Sequence, residues 1–135
     1  MAKTLNLQIV TPEGIAYSDE VEMVGLRSVE GQIGILPNHI RLMTQMLPGE
    51  MTLRKDGQVK FLAVGEGLVE VTRDRVAILT DMAVAAETID EAKAEEARRR
   101  AEARLQEKIS AEELASVNAS LARSLAQLHV KRRHR

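Results

Sequence analysis

The side chains that could carry out chemistry are few and scattered. Three histidines, His39, His129 and His134, are too widely spaced for a helix-borne metal pair, and no HExxH motif or carboxylate cluster accompanies them. The chain has no cysteine, which removes disulfides, thiolate ligands and thiol nucleophiles and fits a reducing compartment. His39 follows a Pro37-Asn38 turn, and a general base there would need a poised partner, so a structural turn role is preferred to catalysis. Gly65-Glu66-Gly67 matches only the start of a dinucleotide loop; with no third glycine and no helix behind it, it reads as a turn. Six methionines, among them Met43, Met46 and Met51, read as adaptable packing rather than a cofactor box. No catalytic constellation, metal site or required cofactor is expected.

Two basic features remain. Arg98-Arg99-Arg100 covers most of a helical turn with Glu95, Glu96 and Glu102 in i±3 or i±4 reach, so a self-paired solvated face is preferred to an anion site. Lys131-Arg132-Arg133-His134-Arg135 could meet RNA or anionic lipid, but reads first as a frayed end whose cations suit a helix C-terminus. The net charge of −1 argues against a chain devoted to coating nucleic acid. With only Tyr17 and Phe61 as aromatics, base-stacking platforms are missing as well. No apolar run approaches the roughly 18 to 20 residues of a membrane span, and Met1-Ala2-Lys3 opens no signal-peptide core, so neither membrane insertion nor export is expected.

The elements that must position these residues fall into two units. All 8 glycines and all 3 prolines precede position 87. Residues 1–86 carry 8 basic and 11 acidic side chains, and 87–135 carry 11 and 9. The first unit reads as strands: Leu5, Leu7 and Ile9 alternate with polar residues until Thr11-Pro12-Glu13-Gly14 breaks the pattern. Val21 to Leu26 and Ile33 to Leu36 follow. Two hairpins are then signalled around Lys55-Asp56-Gly57 and Thr72-Arg73-Asp74-Arg75. Short strands without helical spacing between them imply an antiparallel sandwich or barrel.

The second unit reads as two helices opened by capping boxes at Thr88–Glu91 and Ser110–Glu113. Leu114, Val117, Leu121, Leu125 and Leu128 form one stripe, whereas Ala94, Ala97 and Ala101 with Leu105 and Ile109 line the first helix. An alanine seam buries little apolar area, so this hairpin should dock weakly and serve as a movable arm. The expected class is α+β: an N-terminal antiparallel β-sandwich over 1–86 and a C-terminal antiparallel two-helix hairpin over 87–135.

The segment Gly31-Gln32-Ile33-Gly34-Ile35-Leu36-Pro37-Asn38-His39 resembles the G-x-x-G-I-L-P-x-H signature of the epsilon subunit of the F-type ATP synthase. Val10 to Gly14, Val64 to Val71, Val76 to Asp81 and Ile89 to Ala94 agree with the same family in order and spacing. One departure is Arg41, where the family usually has proline. The resemblance implies a non-catalytic subunit of the rotating central stalk, whose sandwich binds the gamma subunit and the ring of c subunits and whose arm restrains ATP hydrolysis. Ser28, Glu30, Gly31, Gln32 and His39 would then lie at the ring and gamma contact. Arg98, Arg99, Arg104 and Arg123 would meet the alpha/beta catalytic head. The implied location is peripheral, on the cytoplasmic face of a bacterial inner membrane or the stromal face of a thylakoid.

Some members resemble one another in an I/L-D-x-x-R-A segment that holds ATP with arginines farther along the helices. This chain keeps Ile89, Asp90 and Ala94 and has Arg100 and Arg123 at matching places, but Lys93 replaces the motif arginine and Gln127 replaces another. Lysine lacks the planar two-pronged donor and glutamine lacks the charge, so ATP binding should be weak. A stand-alone ATP-sensing protein is the alternative reading, and an RNA-binding adaptor built on the arginines is a further one.

Overall fold

The computed structural model describes residues 3–135; Met1 and Ala2, read above for a signal core, lie outside the described residues. Ten strands form one sheet in the order β10-β7-β6-β3-β5-β8-β9-β1-β2, with β4 paired to β3. Their ranges are β1 Leu5–Thr11, β2 Gly14–Val21, β3 Met23–Ser28, β4 Gly31–Ile35 and β5 Leu42–Met46, then β6 Gly49–Lys55, β7 Gln58–Val64, β8 Gly67–Val71, β9 Arg75–Thr80 and β10 Ala83–Ala85. β3 and β5 join at a single pair, Ser28 opposite Met46, and there the sheet turns over on itself. At the far rim Lys55 of β6 meets Asp19 of β2, and Glu22 N–H donates to the Arg54 carbonyl at 2.7 Å. The result is a flattened, nearly closed sandwich. One pairing departs from the antiparallel expectation, since β1 runs parallel to β9.

Period-2 burial explains the core. Leu5, Leu7 and Ile9 of β1 point inward, as do Val69 and Val71 of β8 and Val76 and Ile78 of β9; Val24, Leu26, Met51, Leu53 and Leu62 meet them from the other layer. The anticipated β6–β7 hairpin turns over two residues, Asp56 and Gly57, both at positive φ, and Lys55 belongs to the strand. Three strands were not foreseen. Pro12-Glu13 is a tight turn rather than a break, and β2, exposed and acidic, is an edge strand whose charges discourage further pairing. β5 points Thr44 and Met46 inward and Met43 out, so a buried threonine hides the alternation. β10 has only three residues.

The arm comprises α1, Glu91–Leu105, and α2, Ala111–Arg133. Ser110 caps α2 by accepting from Glu113 N–H at 3.1 Å, as anticipated. For α1 the cap is Asp90, which accepts from Lys93 N–H at 3.1 Å, not Thr88. Ala86–Thr88 forms a short 3-10 turn in which the Thr88 hydroxyl donates to the Ala85 carbonyl, so the helix starts later.

The apolar stripe of α2 is also displaced. Leu128 of the expected stripe is buried, but Leu114 and Leu125 are exposed and Ser124, Ala126 and Val130 are buried instead. The helix has two neighbours, α1 and the sandwich, and a second buried face shifts which residues leave water. Ala126 and Val130 join Ala63, Met82, Ala86 and Ile89 in a cluster beneath the arm, flanked by Phe61 and Val84.

Candidate functional site

Three surfaces of this fold carry the residues of interest. The first is the end of the sandwich at the β3–β4 turn. Ser28 is buried; its hydroxyl donates to the Gly31 carbonyl at 2.8 Å and accepts from Glu30 N–H at 3.1 Å. Thr44 donates to Glu30 at 3.2 Å, so the carboxylate is anchored from β5. Gly31 sits at φ +122°, a conformation that L side chains rarely adopt. Gln32 stands exposed opposite Arg27. His39 follows Asn38, which has positive φ; its own N–H closes the turn to the Leu36 carbonyl at 3.1 Å, and its ring nitrogen donates to the Ile40 carbonyl. Ser28, Glu30, Gly31 and Gln32 therefore share one turn, with His39 on the adjoining loop.

The second surface was not read from the sequence. On the outer face of the β8-β9-β1-β2 layer, register places Leu68 beside Leu79, Leu79 beside Val10 and Val10 beside Ile15. Leu68, Leu79 and Ile15 are 49%, 56% and 64% exposed. A shallow hollow of about 600 Å³ extends the row past Pro12 and Val29. The available signal was the doublets Leu68-Val69 and Ile78-Leu79: in a strand, consecutive apolar residues force one outward.

The third surface is the docked arm. Arg123 reaches from α2 to Asp81 at 2.9 Å, Gln127 meets the Met82 sulfur at 3.1 Å, and Lys131 donates to the Ala86 carbonyl at 3.3 Å. The terminal segment expected to fray is instead tied down. Arg132 pairs with Glu91 and Glu95, both at 3.0 Å, Arg135 with Glu91 at 3.3 Å and Arg133 with Glu50 at 3.3 Å. His134 meets Glu50 and stacks on Phe61. Long-range partners supplied by the sandwich and α1 override the local fraying tendency.

The residues expected to hold nucleotide do not converge in this arrangement. Ile89 and Ala94 are buried, Asp90 caps α1 and Lys93 faces solvent. Arg100 reaches Glu96 at 3.7 Å and lines a groove with Ala97 and Val117, while Arg123 lines a different hollow with Asp81 and Asn118. The arginines expected to inhibit are also occupied. Arg98 pairs with Glu95 and Glu102, Arg99 with Glu95 at 3.5 Å, and Arg104 with Glu107 and Glu113. Hydrogen bonds to these carboxylates raise the pKa of Arg98 and Arg104. Among the described residues no group of three or more potential ligands could hold a metal ion, and no helix is long and apolar enough to cross a membrane.

Glu95 joins the two helices electrostatically. Chiefly through its hydrogen bond with Arg98, and then that with Arg132, its carboxyl is lowered to a pKa of about 2. A depressed folded-state value gives stabilisation that is present above the unfolded carboxylate range and is lost as pH falls toward about 2. Helical-hairpin stability should therefore decline between roughly pH 4.5 and 2, and Glu95→Gln should flatten that decline, measured by helical circular dichroism.

A family model described as the β-sandwich domain of the ATP synthase delta/epsilon chain matches residues 4–86, and one described as its long α-helix domain matches 87–132. The chain belongs to the ATP synthase delta/epsilon family. Among its relatives is the ATP synthase epsilon chain of Bacillus licheniformis, 41% identical over 96% of this chain and 99% of the relative. The epsilon chain of Herpetosiphon aurantiacus is 42% identical over 97% and 96%. A chain in the cryo-EM structure of the Euglena gracilis mitochondrial ATP synthase shares the fold, with a TM-score of 0.71, 24% identity, and coverage of 88% of this chain and 76% of that one. The epsilon-chain membership foreseen from Gly31 to His39 and its companion segments thus holds across the sandwich and the arm. A family member of this kind is a non-catalytic subunit of the synthase, a membrane-bound complex, and not an enzyme in its own right.

Proposed function

We propose that this epsilon-family chain couples the gamma subunit to the c-subunit ring of an F-type ATP synthase and restrains ATP hydrolysis with its helical arm. The observation that carries the coupling role is the division of the sandwich surface. The arm covers one face, the other exposes the Leu68-Leu79-Val10-Ile15 row, and a hydrogen-bonded polar turn closes one end. The apolar row suits a protein partner that stays bound through rotation, and we assign it to gamma. The Ser28–Gln32 turn, polar and anchored through Thr44, is assigned to the ring with His39 beside it; Gln32 brings hydrogen bonds without charge. The complex would hold the chain peripherally, at the cytoplasmic face of a bacterial inner membrane or the stromal face of a thylakoid.

Burying one leucine at an interface contributes about 1.5 to 3 kcal/mol, so Leu79→Asp should weaken gamma binding roughly tenfold or more. Leu79 is exposed in the free chain, so its melting temperature should barely move. Co-purification with gamma, compared with the unmodified chain, tests this; undiminished capture would rule out the row as the gamma face.

The arm's part is inhibitory when it leaves the sandwich and reaches the alpha/beta head with Arg98, Arg99, Arg104 and Arg123. Of these four, Arg123 is paired with the sandwich through Asp81, whereas Arg98, Arg99 and Arg104 pair within the hairpin, so docking and inhibition compete for the Arg123 guanidinium. ATP binding to the docked arm is weak in this reading. Lys93 and Gln127 each replace an arginine, and Arg123 is engaged by Asp81. Two weakened charge-assisted contacts at about 1 to 2 kcal/mol each would lower affinity roughly ten- to a thousandfold. Lys93→Arg combined with Gln127→Arg should tighten binding in calorimetry on the isolated chain. Submicromolar binding by the unmodified chain would overturn this assignment and favour a stand-alone ATP sensor.

A further inference from the structure

The N-terminus of α1 has two alternative starts in its sequence, and the docked arm uses the less complete one. Asp90 accepts from Lys93 N–H at 3.1 Å, but a lysine side chain is only a donor and cannot accept from the Asp90 N–H in return. Two positions earlier, Thr88-Ile89-Asp90-Glu91 has both halves of a capping box, a hydroxyl and a carboxylate three residues apart. Its parts are all engaged elsewhere. The Thr88 hydroxyl donates to the Ala85 carbonyl at 3.0 Å. Ile89 is extended, at φ −69° and ψ 127°, and is buried in the cluster with Ala126 and Val130 of α2. The Glu91 carboxylate is held by Arg132 and Arg135, at the end of α2 and just beyond it. Lys131 donates to the Ala86 carbonyl at 3.3 Å, the acceptor that also closes the 3-10 turn from the Ile89 N–H. Helix α2 therefore clamps the stretch of chain that joins the arm to the sandwich.

We propose that residues 88–91 are a two-state hinge: docking holds α1 to its Asp90 start, and release of α2 lets the helix grow by two residues to a Thr88 start. This rests on the reading above that the arm leaves the sandwich. Locally the two starts are closely matched. Thr and Asp are both preferred N-caps, and in the longer helix Asp90 and Glu91 fall in the first turn, where the helix dipole favours carboxylates. Ile89 separates them. At the shorter start it is only 4% exposed. At the longer start Ile89 and Asp90 must take helical ψ, which is barred while the sandwich fixes one end of the stretch and α2 the other. Once Ala126 and Val130 have moved away, the extended form has lost the burial that favoured it, and the complete box decides. Two further helical residues insert about 200° of turn between the sandwich and Glu91, so the released arm is re-aimed as well as freed. A local preference that tertiary contacts override in one state and satisfy in the other is what a bistable element requires.

Two variants of the full chain open the arm by different means. Val130→Asp puts a carboxylate into the cluster beneath the arm, where Val130 is fully buried. Arg123→Glu combined with Lys131→Glu reverses the charges that face Asp81 and the Ala86 carbonyl. Neither touches the main core, whose members end at Ile78. Release of α2 is read from the NMR resonances of Phe61 and Ala63, which lose their cover, and amide exchange in β1 and β9 reports whether the sandwich is intact. In the unmodified chain the Cα chemical shifts of Ile89 and Asp90 should be those of extended backbone. In both opened variants they should become helical, with Thr88 the last extended residue. Adding Thr88→Ala should lower the helical population at 89 and 90 roughly fivefold, the ordinary worth of an N-cap, whereas Thr88→Ser should keep it. A released arm whose residues 89 and 90 stay extended or become disordered would overturn the hinge and leave the moving arm intact. Helical shifts that survive Thr88→Ala would overturn the Thr88 start. If neither variant releases α2 while β1 and β9 stay protected, or if both unfold the sandwich together with the arm, the moving arm itself fails and the hinge with it.

Discussion

Ending the chain at Ala86 should raise ATP hydrolysis by the reconstituted synthase, on the order of fivefold or more given ordinary coupling free energies between sites, while leaving assembly and proton-driven synthesis in place. The shortened chain should stay folded, because every member of the main core cluster lies between Leu5 and Ile78 and none belongs to the arm. What it loses is the cover over Phe61, Ala63, Met82 and Val84, a small second cluster. In the proposed role the brake resides in the arm, whose solvent-screened ion pairs would be exchanged for acidic partners on the catalytic head. Unchanged hydrolysis by a properly assembled complex would count against the brake. A fragment that stays folded but fails to join gamma and the ring would show that assembly needs the arm.

How much was legible in the sequence follows from how local each determinant is. The β6–β7 hairpin could be read because Asp56-Gly57 supplies both positive-φ residues from adjacent positions. The Ser110 cap was equally local. The α1 cap was misplaced because Thr88-Ile89-Asp90-Glu91 offers two capping side chains, and the choice between them is made by Ile89 entering the cluster beneath the arm. β5 was hidden by its inward Thr44, whose hydroxyl is satisfied by Glu30, fourteen positions away. The same distance effect governs the candidate surfaces. The Ser28–Gln32 turn is contiguous and was seen, whereas the apolar row is assembled from four strands and exists only once their register is set. The terminal basic run looked free because Glu50, Phe61, Glu91 and Glu95, which hold it, lie far away in sequence.

Two glycines in the Gly65-Glu66-Gly67 turn should separate sandwich stability from arm docking. A Cβ at Gly67 would lie 2.1 Å from the Leu79 carbonyl oxygen and 3.0 Å from Thr80 Cα, both backbone atoms of the paired strand β9. Backbone cannot yield there without parting β8 from β9, along which Val69 and Ile78 meet in the core. Gly67→Ala should therefore cost about 3 kcal/mol or more and lower the melting temperature by roughly 10 °C or more. At Gly65 the obstruction is different: a Cβ would fall 1.7 Å from Asp81 Oδ1 and 2.8 Å from its Cγ, the end of a side chain that can rotate. Turning Asp81 away sacrifices its 2.9 Å pair with Arg123 but frees Oδ1, which is buried without a hydrogen-bond partner. Gly65→Ala should consequently leave the sandwich within a few degrees of its original melting temperature while α2 loses hydrogen-exchange protection. The two variants differ by two positions in sequence, so a shared loss of stability of equal size would show that Asp81 is as rigid as backbone. An unchanged melting temperature for Gly67→Ala would mean that the β8–β9 contact is looser than its 2.1 Å approach requires.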